Sequence, residues 1–199
     1  VYKVGLVGCG RIGTLLEKDK LRGKPCTHAG GFNALSNTKI VAGCDIDRSR
    51  LEDFGVHWGV NRLYEDYLEM LHQEKLDVVC IATWTNLHAS MVMDAARSGV
   101  NAIFCEKPIA LNPHDGRQMV RFCKKRNVPL IINHERRWDS YYQKASQIIK
   151  TGKIGEIRTI VGNTLSSKPG KHPTRSHGGG ALFHDGTHLT DLFLYFGGP

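Results

Sequence analysis

The sequence predicts an α/β protein, with a doubly wound parallel sheet followed by the start of a smaller α+β domain. Three observations point there. Five short apolar, β-rich runs, 2–8, 39–45, 76–82, 100–106 and 128–134, lack polar/apolar alternation, as strands covered on both faces should. Segments of helical period separate them, which is the pattern of crossover connections in a parallel sheet. A glycine triplet, Gly8, Gly10 and Gly13, follows the first run directly and opens the first crossover.

Taken in order, "YLEML" at 67–71 supplies a short helix between the second and third runs. The stretch 87–100 carries Met91 and Ala95 at helical spacing and stops at Gly99. Asn112 reads as an N-cap with Pro113 at the first helical position, leading 114–126 with its cations at the C-terminal end. These elements place one domain over 1–134. Beyond it, 141–153 is amphipathic, 155–166 alternates like a strand, and 167–180 is a polar loop rich in Gly and Pro. A last helix follows from "GGGALFHDGTHLTD". One helix, one strand and one more helix leave a sheet face and edge uncovered, so the second domain, 135–199, is expected to be incomplete in this chain.

The chain has 199 residues, 41% of them apolar and 23% charged, with apolar runs of only a few residues and no signal pattern at the start. The expectation is a soluble cytoplasmic protein with no membrane association. The net charge of +8 comes from Lys and Arg scattered along the chain without aromatic interleaving, so no nucleic-acid partner is expected. The six cysteines show no metal-ligand spacing and several sit inside the apolar runs, so they read as buried reduced thiols.

The glycine triplet, with Arg11 and Ile12 between its last two members, suits a tight turn on which a dinucleotide pyrophosphate meets a helix N-terminus. Its partner is an acid at the end of the second strand, able to accept hydrogen bonds from ribose hydroxyls. Asp45 stands there, 32 positions after Gly13 where about 20 is usual, and 17–28 reads as the insertion responsible. A carboxylate at this position favours NAD over NADP, although Arg48 and Arg50 nearby keep NADP possible. Thr83, Asn86 and His88 follow the third strand at its carboxyl edge, where a cofactor channel runs in such sheets; a capping Asn and a surface His are the plain alternatives. Glu106 and Lys107, followed by Pro108, sit at the same edge, where an ammonium can stabilise a developing alkoxide or pass protons.

"VGCGRIG", "CDID", "TNLH", "CEKPIALN", "RRW", "TGKIGEI" and "GGGALFHDGTHLTD" occur in an order that resembles the Gfo/Idh/MocA oxidoreductases, the glucose-fructose oxidoreductase and inositol dehydrogenase group. The resemblance covers nearly the whole chain. It implies a Rossmann-type domain, hydride transfer between NAD(P) and a sugar, polyol or related hydroxyl compound, and homo-oligomers formed through the second domain where that domain is complete. It also implies catalytic roles for Lys107 and His188. Trp84 stands where the family usually has Pro, and His184 where it has a carboxylate, with Asp185 adjacent.

On one regular helix, His184, His188 and Asp191 fall within roughly 40° of each other, with Leu182, Leu189, Phe193 and Phe196 on the opposite, buried side. His188 is then the expected proton acceptor, oriented by Asp191, and Lys107 the group that holds the alkoxide, the two facing one crevice. Arg136 and Arg137 are candidates for substrate contact or for plain salt bridges. Zinc needs at least a third protein ligand, with His134, His172 and His177 candidates by position only, so no metal is expected. A metal-dependent enzyme using His184 and His188, and a dinucleotide-binding module without turnover, are the alternatives. The 167–180 loop reads as either a cover over the site or an ordinary surface loop.

Overall fold

The computed structural model describes residues 1–164 and 179–198 and divides the chain into two compact units, Val1–Ile132 and Asn133–Pro199. In the first lie β1 (Tyr2–Val7), α1 (His28–Asn33), β2 (Thr38–Cys44), α2 (Arg48–Trp58), β3 (Arg62–Tyr64), α3 (Tyr67–Gln73), β4 (Val78–Ile81), α4 (Thr85–Arg97), β5 (Ala102–Glu106), α5 (Pro113–Lys125) and β6 (Leu130–Asn133). The six strands form one sheet in the order β3-β2-β1-β4-β5-β6, with β1 parallel to β2 and β4, β2 parallel to β3, and β4 parallel to β5. The order reverses between β1 and β4, and open α/β sheets bind ligands outside the carboxyl ends of the strands at such a reversal.

The missing alternation in the apolar runs has its cause in two cores. Val4 and Leu6 of β1, Cys80 of β4 and Phe104 of β5 pack on one face with Ala29, Leu51 and Phe54 of α1 and α2. Val7, Val79, Ile81, Ile103 and Cys105 pack on the other with Met70, Val92 and Met119 of α3, α4 and α5. Successive strand residues point to opposite faces, and both faces are covered. All six cysteines are free thiols; five are buried, and burial pushes the thiols of Cys9, Cys44, Cys105 and Cys123 up, away from the reactive thiolate.

Local signals set the boundaries. The Asn112 side chain accepts from the Asp115 N–H, and Pro113 occupies the first turn of α5. Gly99, which follows α4, has a φ of 87°. The five-run reading omitted β3, a three-residue edge strand that opens on an exposed arginine and carries no apolar run.

The first crossover contains a detour. The His28 N–H donates to the Ile12 carbonyl at 3.0 Å and the Ala29 N–H to the Gly13 carbonyl at 2.9 Å. In an uninterrupted helix residues 16 and 17 would make those bonds. The helical path that opens at Gly10 therefore resumes at His28 after a 12-residue excursion, and subtracting 12 from the 32 positions between Gly13 and Asp45 restores the usual spacing of about 20. Glu17, in a 3-10 turn over Leu15–Lys18, ties the excursion together: its carboxylate accepts from the Thr27 hydroxyl at 2.6 Å and from the Cys26 N–H at 3.1 Å.

In the second unit, α6 (Ser140–Lys150) begins at Asp139, whose carboxylate accepts from the Tyr141 N–H at 2.8 Å. Two expectations are corrected here. Residues 155–164 form no strand and pair with none among the described residues. Instead the segment lies against the last helix, where a Cβ on Gly162 would come within 3.0 Å of Leu189 and Phe193. The last helix is also two helices, α7 (Gly180–His184) and α8 (Gly186–Gly197), with Asp185 at the joint. Asp followed by Gly is a poor helix interior, and the helix restarts there with the His188 N–H on the Asp185 carbonyl at 3.2 Å. The buried face of α8 is His188, Asp191 and Leu192; Phe193 and Leu194 are exposed, as is Leu182 of α7. The expected burial is thus only partly met: Leu189 and Phe196 are half-buried, and His188 and Asp191 are buried beside Leu192. Among the described residues no helix is long and apolar enough to cross a membrane. The 167–180 loop expectation falls mainly on residues outside the described ones.

If the detour is an insertion into a helix that continues across it, deleting residues 15–26 should leave the fold intact. The shortened chain is expected to keep a single cooperative urea transition and its far-UV circular dichroism. Loss of the cooperative transition would show that the excursion is part of the folding unit.

Candidate functional site

The glycine turn at the end of β1 is built of three glycines with different reasons to be glycine. Gly8 has a φ of 97°, and a Cβ there would meet the Ala82 carbonyl oxygen at 2.6 Å; a Cβ on Gly13 would lie 2.0 Å from the Gly8 carbonyl oxygen. Packing demands both. A Cβ on Gly10 would meet nothing within 4 Å, so the chain itself leaves that approach open, as a turn that receives an outside group should. Arg11 is exposed and Ile12 half-buried beside it.

Asp45 is buried at the tip of β2. One carboxylate oxygen accepts from the Cys9 N–H at 2.7 Å and the other from the Asp47 N–H at 2.9 Å, so the acid is locked onto the glycine turn. Arg48 is engaged by Glu52 and Glu65, and Arg50 by Asp47, so the two cations near Asp45 are paired with carboxylates. A fixed acid beside an open glycine turn fits the adenosine ribose and pyrophosphate of NAD.

At the ends of β4 and β5 the expected residues separate into two kinds. Thr83 is half-buried with its hydroxyl 3.4 Å from the Met91 sulfur, and Asn86 is exposed in the first turn of α4, whose cap position is Trp84. His88 is fully buried. Its Nδ1 lies 2.9 Å from the Pro108 carbonyl and its Nε2 3.2 Å from the Thr83 carbonyl, so both ring nitrogens face backbone and the side chain braces the Lys107–Pro108 turn from behind. Burial pushes its imidazole below the ordinary value, more than the backbone carbonyls of Thr83 and Pro108 raise it, which keeps the ring neutral.

Glu106 is buried and makes the unit's deepest ion pair. Its Oε1 is 2.8 Å from His28 Nε2, with side chains 8% and 6% exposed, and its Oε2 accepts from the Lys107 N–H at 3.1 Å. Burial alone would lower the His28 imidazole; the neighbouring Cys80 sulfur and the Glu106 carboxylate outweigh it and push it up to about 10. Lys107 is half-buried, with its backbone held on both sides: Glu106 at its N–H and His88 at the next carbonyl. Sequence reading missed His28. It lies at the end of the insertion, and removing 12 residues would have placed it one helical turn past the glycines.

The second unit holds a separate cluster on α8 and a 3-10 turn over Glu135–Trp138. Asp191 is gripped by Arg137, with Nε at 3.0 and 2.8 Å and Nη2 at 2.7 Å from its oxygens, and the guanidinium lies 5.3 Å from the Tyr195 ring centre. His134 Nδ1 is 3.8 Å from the same carboxylate. The expected orienting role of Asp191 toward His188 meets this competing pairing. His188 is buried, and the carboxylate set against its Nδ1 is that of Glu135, 3.5 Å away. Arg137 pairs within the unit, while Arg136 is half-buried on the same turn. His184 ends α7 and Asp185 forms the joint, its backbone still in the right-handed helical region at φ −102° and ψ −38°. Among the described residues no group of three or more His, Cys, Asp or Glu side chains is placed to hold a metal ion; His172 and His177 lie outside them.

A glycine turn open at Gly10, a locked acid at the tip of β2 and a lysine at the end of β5 define a dinucleotide-binding domain of the oxidoreductase type. Residues 2–134 match the family described as "Oxidoreductase family, NAD-binding Rossmann fold", and residues 142–199 match the "GFO/IDH/MocA C-terminal domain". The chain belongs to the Gfo/Idh/MocA oxidoreductase family. It is 37% identical over 154 residues to a D-apiose dehydrogenase of Paraburkholderia graminis, an alignment covering 77% of this chain and 38% of that protein. It is 29% identical over 158 residues to a myo-inositol 2-dehydrogenase of Thermotoga maritima, covering 79% and 43%. The WlbA dehydrogenase of Bordetella pertussis, solved with NADH and UDP-GlcNAcA, superposes with a TM-score of 0.84 at 26% identity, covering all of this chain and 59% of that one. The chain spans about two-fifths of the length of these two curated relatives.

The His28–Glu106 pair gives stability a defined pH dependence. The folded-state imidazole is raised from 6.5 to about 10, so its contribution is complete below about pH 6.5 and is lost as pH climbs toward 10. His28→Gln should cost about 3 kcal/mol at pH 6, the scale of a buried pair broken on one side. The gap to the unsubstituted protein should close by pH 10. Urea midpoints at pH 6, 8 and 9.5 check this; a gap that stayed constant would contradict the pairing.

Proposed function

We propose that this chain is the cofactor-binding part, with the beginning of the substrate domain, of an NAD-dependent dehydrogenase that moves a hydride between the nicotinamide and a hydroxyl or carbonyl carbon of a sugar or polyol. The observation that carries it is Asp45, a buried carboxylate hydrogen-bonded to the Cys9 N–H beside a glycine whose approach is open. A carboxylate in this place accepts from ribose hydroxyls and repels a 2′-phosphate, which favours NAD over NADP. Gly8, Gly10, Arg11, Ile12 and Gly13 would hold the pyrophosphate, and Thr83, Asn86 and Glu106 the rest of the cofactor, with His88 bracing the turn from the core. When bound, NAD supplies the hydride acceptor.

The remaining chemistry belongs to side chains. Lys107, an ammonium on a backbone fixed by Glu106 and His88, stabilises negative charge on the substrate oxygen. His188 takes the hydroxyl proton during oxidation and returns it during reduction. Arg136 and His184 are the candidate contacts to the substrate hydroxyls, beside Lys107 and His188, and His184 and Asp185 are the further catalytic candidates. The names of the curated relatives, D-apiose dehydrogenase and myo-inositol 2-dehydrogenase, support the substrate class. Exposed Val161, Phe193 and Leu194 support a homo-oligomer formed through the second unit, and the protein is proposed to work in the cytoplasm.

Calorimetry should detect NAD binding that weakens at least tenfold in Asp45→Ala, and a panel of inositols and pentoses with NAD should yield NADH. Lys107→Ala and His188→Ala should each lower kcat by about 10²-fold or more while NAD affinity changes little. NAD binding without turnover of any polyol or sugar would instead make the protein a dinucleotide-binding module. Sedimentation should give a dimer or larger species, and a monomer at every concentration would remove the oligomer.

A further inference from the structure

We propose that Glu135 is the positioning residue for His188, holding its Nδ1 protonated so that Nε2 offers a lone pair to the substrate hydroxyl. The proposal rests on the reading of His188 as the proton-transfer group. Its basis is how the 3-10 turn Glu135–Trp138 meets α8. Two residues of the turn, Glu135 and Arg137, engage two residues one helical turn apart on the buried face: Glu135 Oε1 lies 3.5 Å from His188 Nδ1, and Arg137 closes on Asp191 with contacts of 2.7 to 3.0 Å.

The two pairs divide the work. Asp191 is the carboxylate that helical spacing would assign to His188, but its charge is met by a guanidinium that grips both oxygens. Glu135 is half-exposed, at 51%, so a charge there carries little desolvation cost, whereas His188 is 8% exposed. A carboxylate beside one ring nitrogen of a neutral imidazole fixes the tautomer that places the proton there and raises the basicity of the other nitrogen. At 3.5 Å the contact is electrostatic, with no hydrogen bond formed between Glu135 and Nδ1, and contacts of catalytic groups that are long without substrate tighten when it binds. Among the described residues, the charged groups on the elements that carry this contact are Glu135, Arg137 and His134 from the turn and the residue before it, and Asp185 and Asp191 from the joint and α8.

Nitrogen-15 NMR of the histidine rings in the full chain, without cofactor, tests the proposal apart from turnover. In Glu135→Gln the His188 titration midpoint should fall by about half a unit to one unit, the low end of the effect of a nearby opposite charge because Glu135 is half in water. The Nδ1–H tautomer should lose population, and Glu135→Asp should restore part of both. Glu156→Gln, which removes an exposed carboxylate paired with Arg158, should move neither. In the sugar or polyol assay the acid limb of kcat/KM should shift down by the same amount, with a plateau about tenfold lower. An unchanged midpoint and tautomer in Glu135→Gln overturns the proposal. Full turnover in His188→Gln would instead overturn the proton-transfer reading, and the NMR result would still decide whether Glu135 governs the ring.

Discussion

The buried pair of His28 and Glu106 is the constraint on which the first unit's functional edge depends. Each charged side chain in the interior costs several kcal/mol in lost hydration, repaid only by close, fully bonded geometry. Here one carboxylate oxygen meets the imidazole at 2.8 Å and the other takes the Lys107 N–H, while the ring stands edge-on to Phe104 with centres 5.4 Å apart. His28 belongs to the crossover that begins at the glycine turn, and Glu106 to the strand end that carries the lysine. The pair therefore ties the two edges that a dinucleotide must touch at its two ends. A hydrophobic pair of similar volume could stabilise the fold as well, but would leave the backbone before Lys107 without its acceptor.

The 12-residue detour shows how that tie survives an insertion. Closing a flexible loop of this length costs about 2 kcal/mol. Glu17 offsets part of that cost with two short bonds, to the Thr27 hydroxyl and the Cys26 N–H, and Thr27 then caps α1 by accepting from the Gly30 N–H at 3.1 Å. Hydrogen bonding of Glu17 outweighs the upward push of its desolvation and keeps its carboxyl below the usual range, so the clasp holds at neutral pH. Because the chain leaves and re-enters with the helical bond pattern intact, His28 arrives where an uninterrupted helix would have put residue 16. Insertions at such points can lengthen a sequence without moving the side chains beyond them.

What the sequence made legible is what local chemistry determines. Apolar runs over 2–8 and 100–106, the Asn112–Pro113 start of α5, the glycines and the displaced Asp45 each follow from residues within a few positions of one another. The pairs that organise the two clusters do not. His28 with Glu106 and Arg137 with Asp191 join residues 78 and 54 positions apart, and neither has a periodic signal. The strand expected over 155–166 does not form in its described part, 155–164, for a related reason: alternation predicts a residue pattern, but a strand exists only when a neighbour supplies the ladder. The single helix expected through His184 and His188 is two, because weak helix formers at Asp185–Gly186 let it end and restart.

The orientation of α8 is the least expected feature and the most informative about function. Regular amphipathic packing would expose His188; the protein buries it, with His188 and Asp191 each about 7% exposed beside Leu192 while Leu194 is 53% exposed. Scattered apolar residues on a surface cost little, but a buried imidazole and a buried carboxylate on one helix turn cost much unless partners compensate them. Among the described residues, the 3-10 turn sets a guanidinium on Asp191 and a carboxylate near His188. Glu135 and Arg137 stand on it with side chains of opposite charge, each facing the group of opposite tendency on α8. The observed orientation therefore fixes two polar side chains in the interior of the unit, an arrangement that suits a reacting group rather than a structural core.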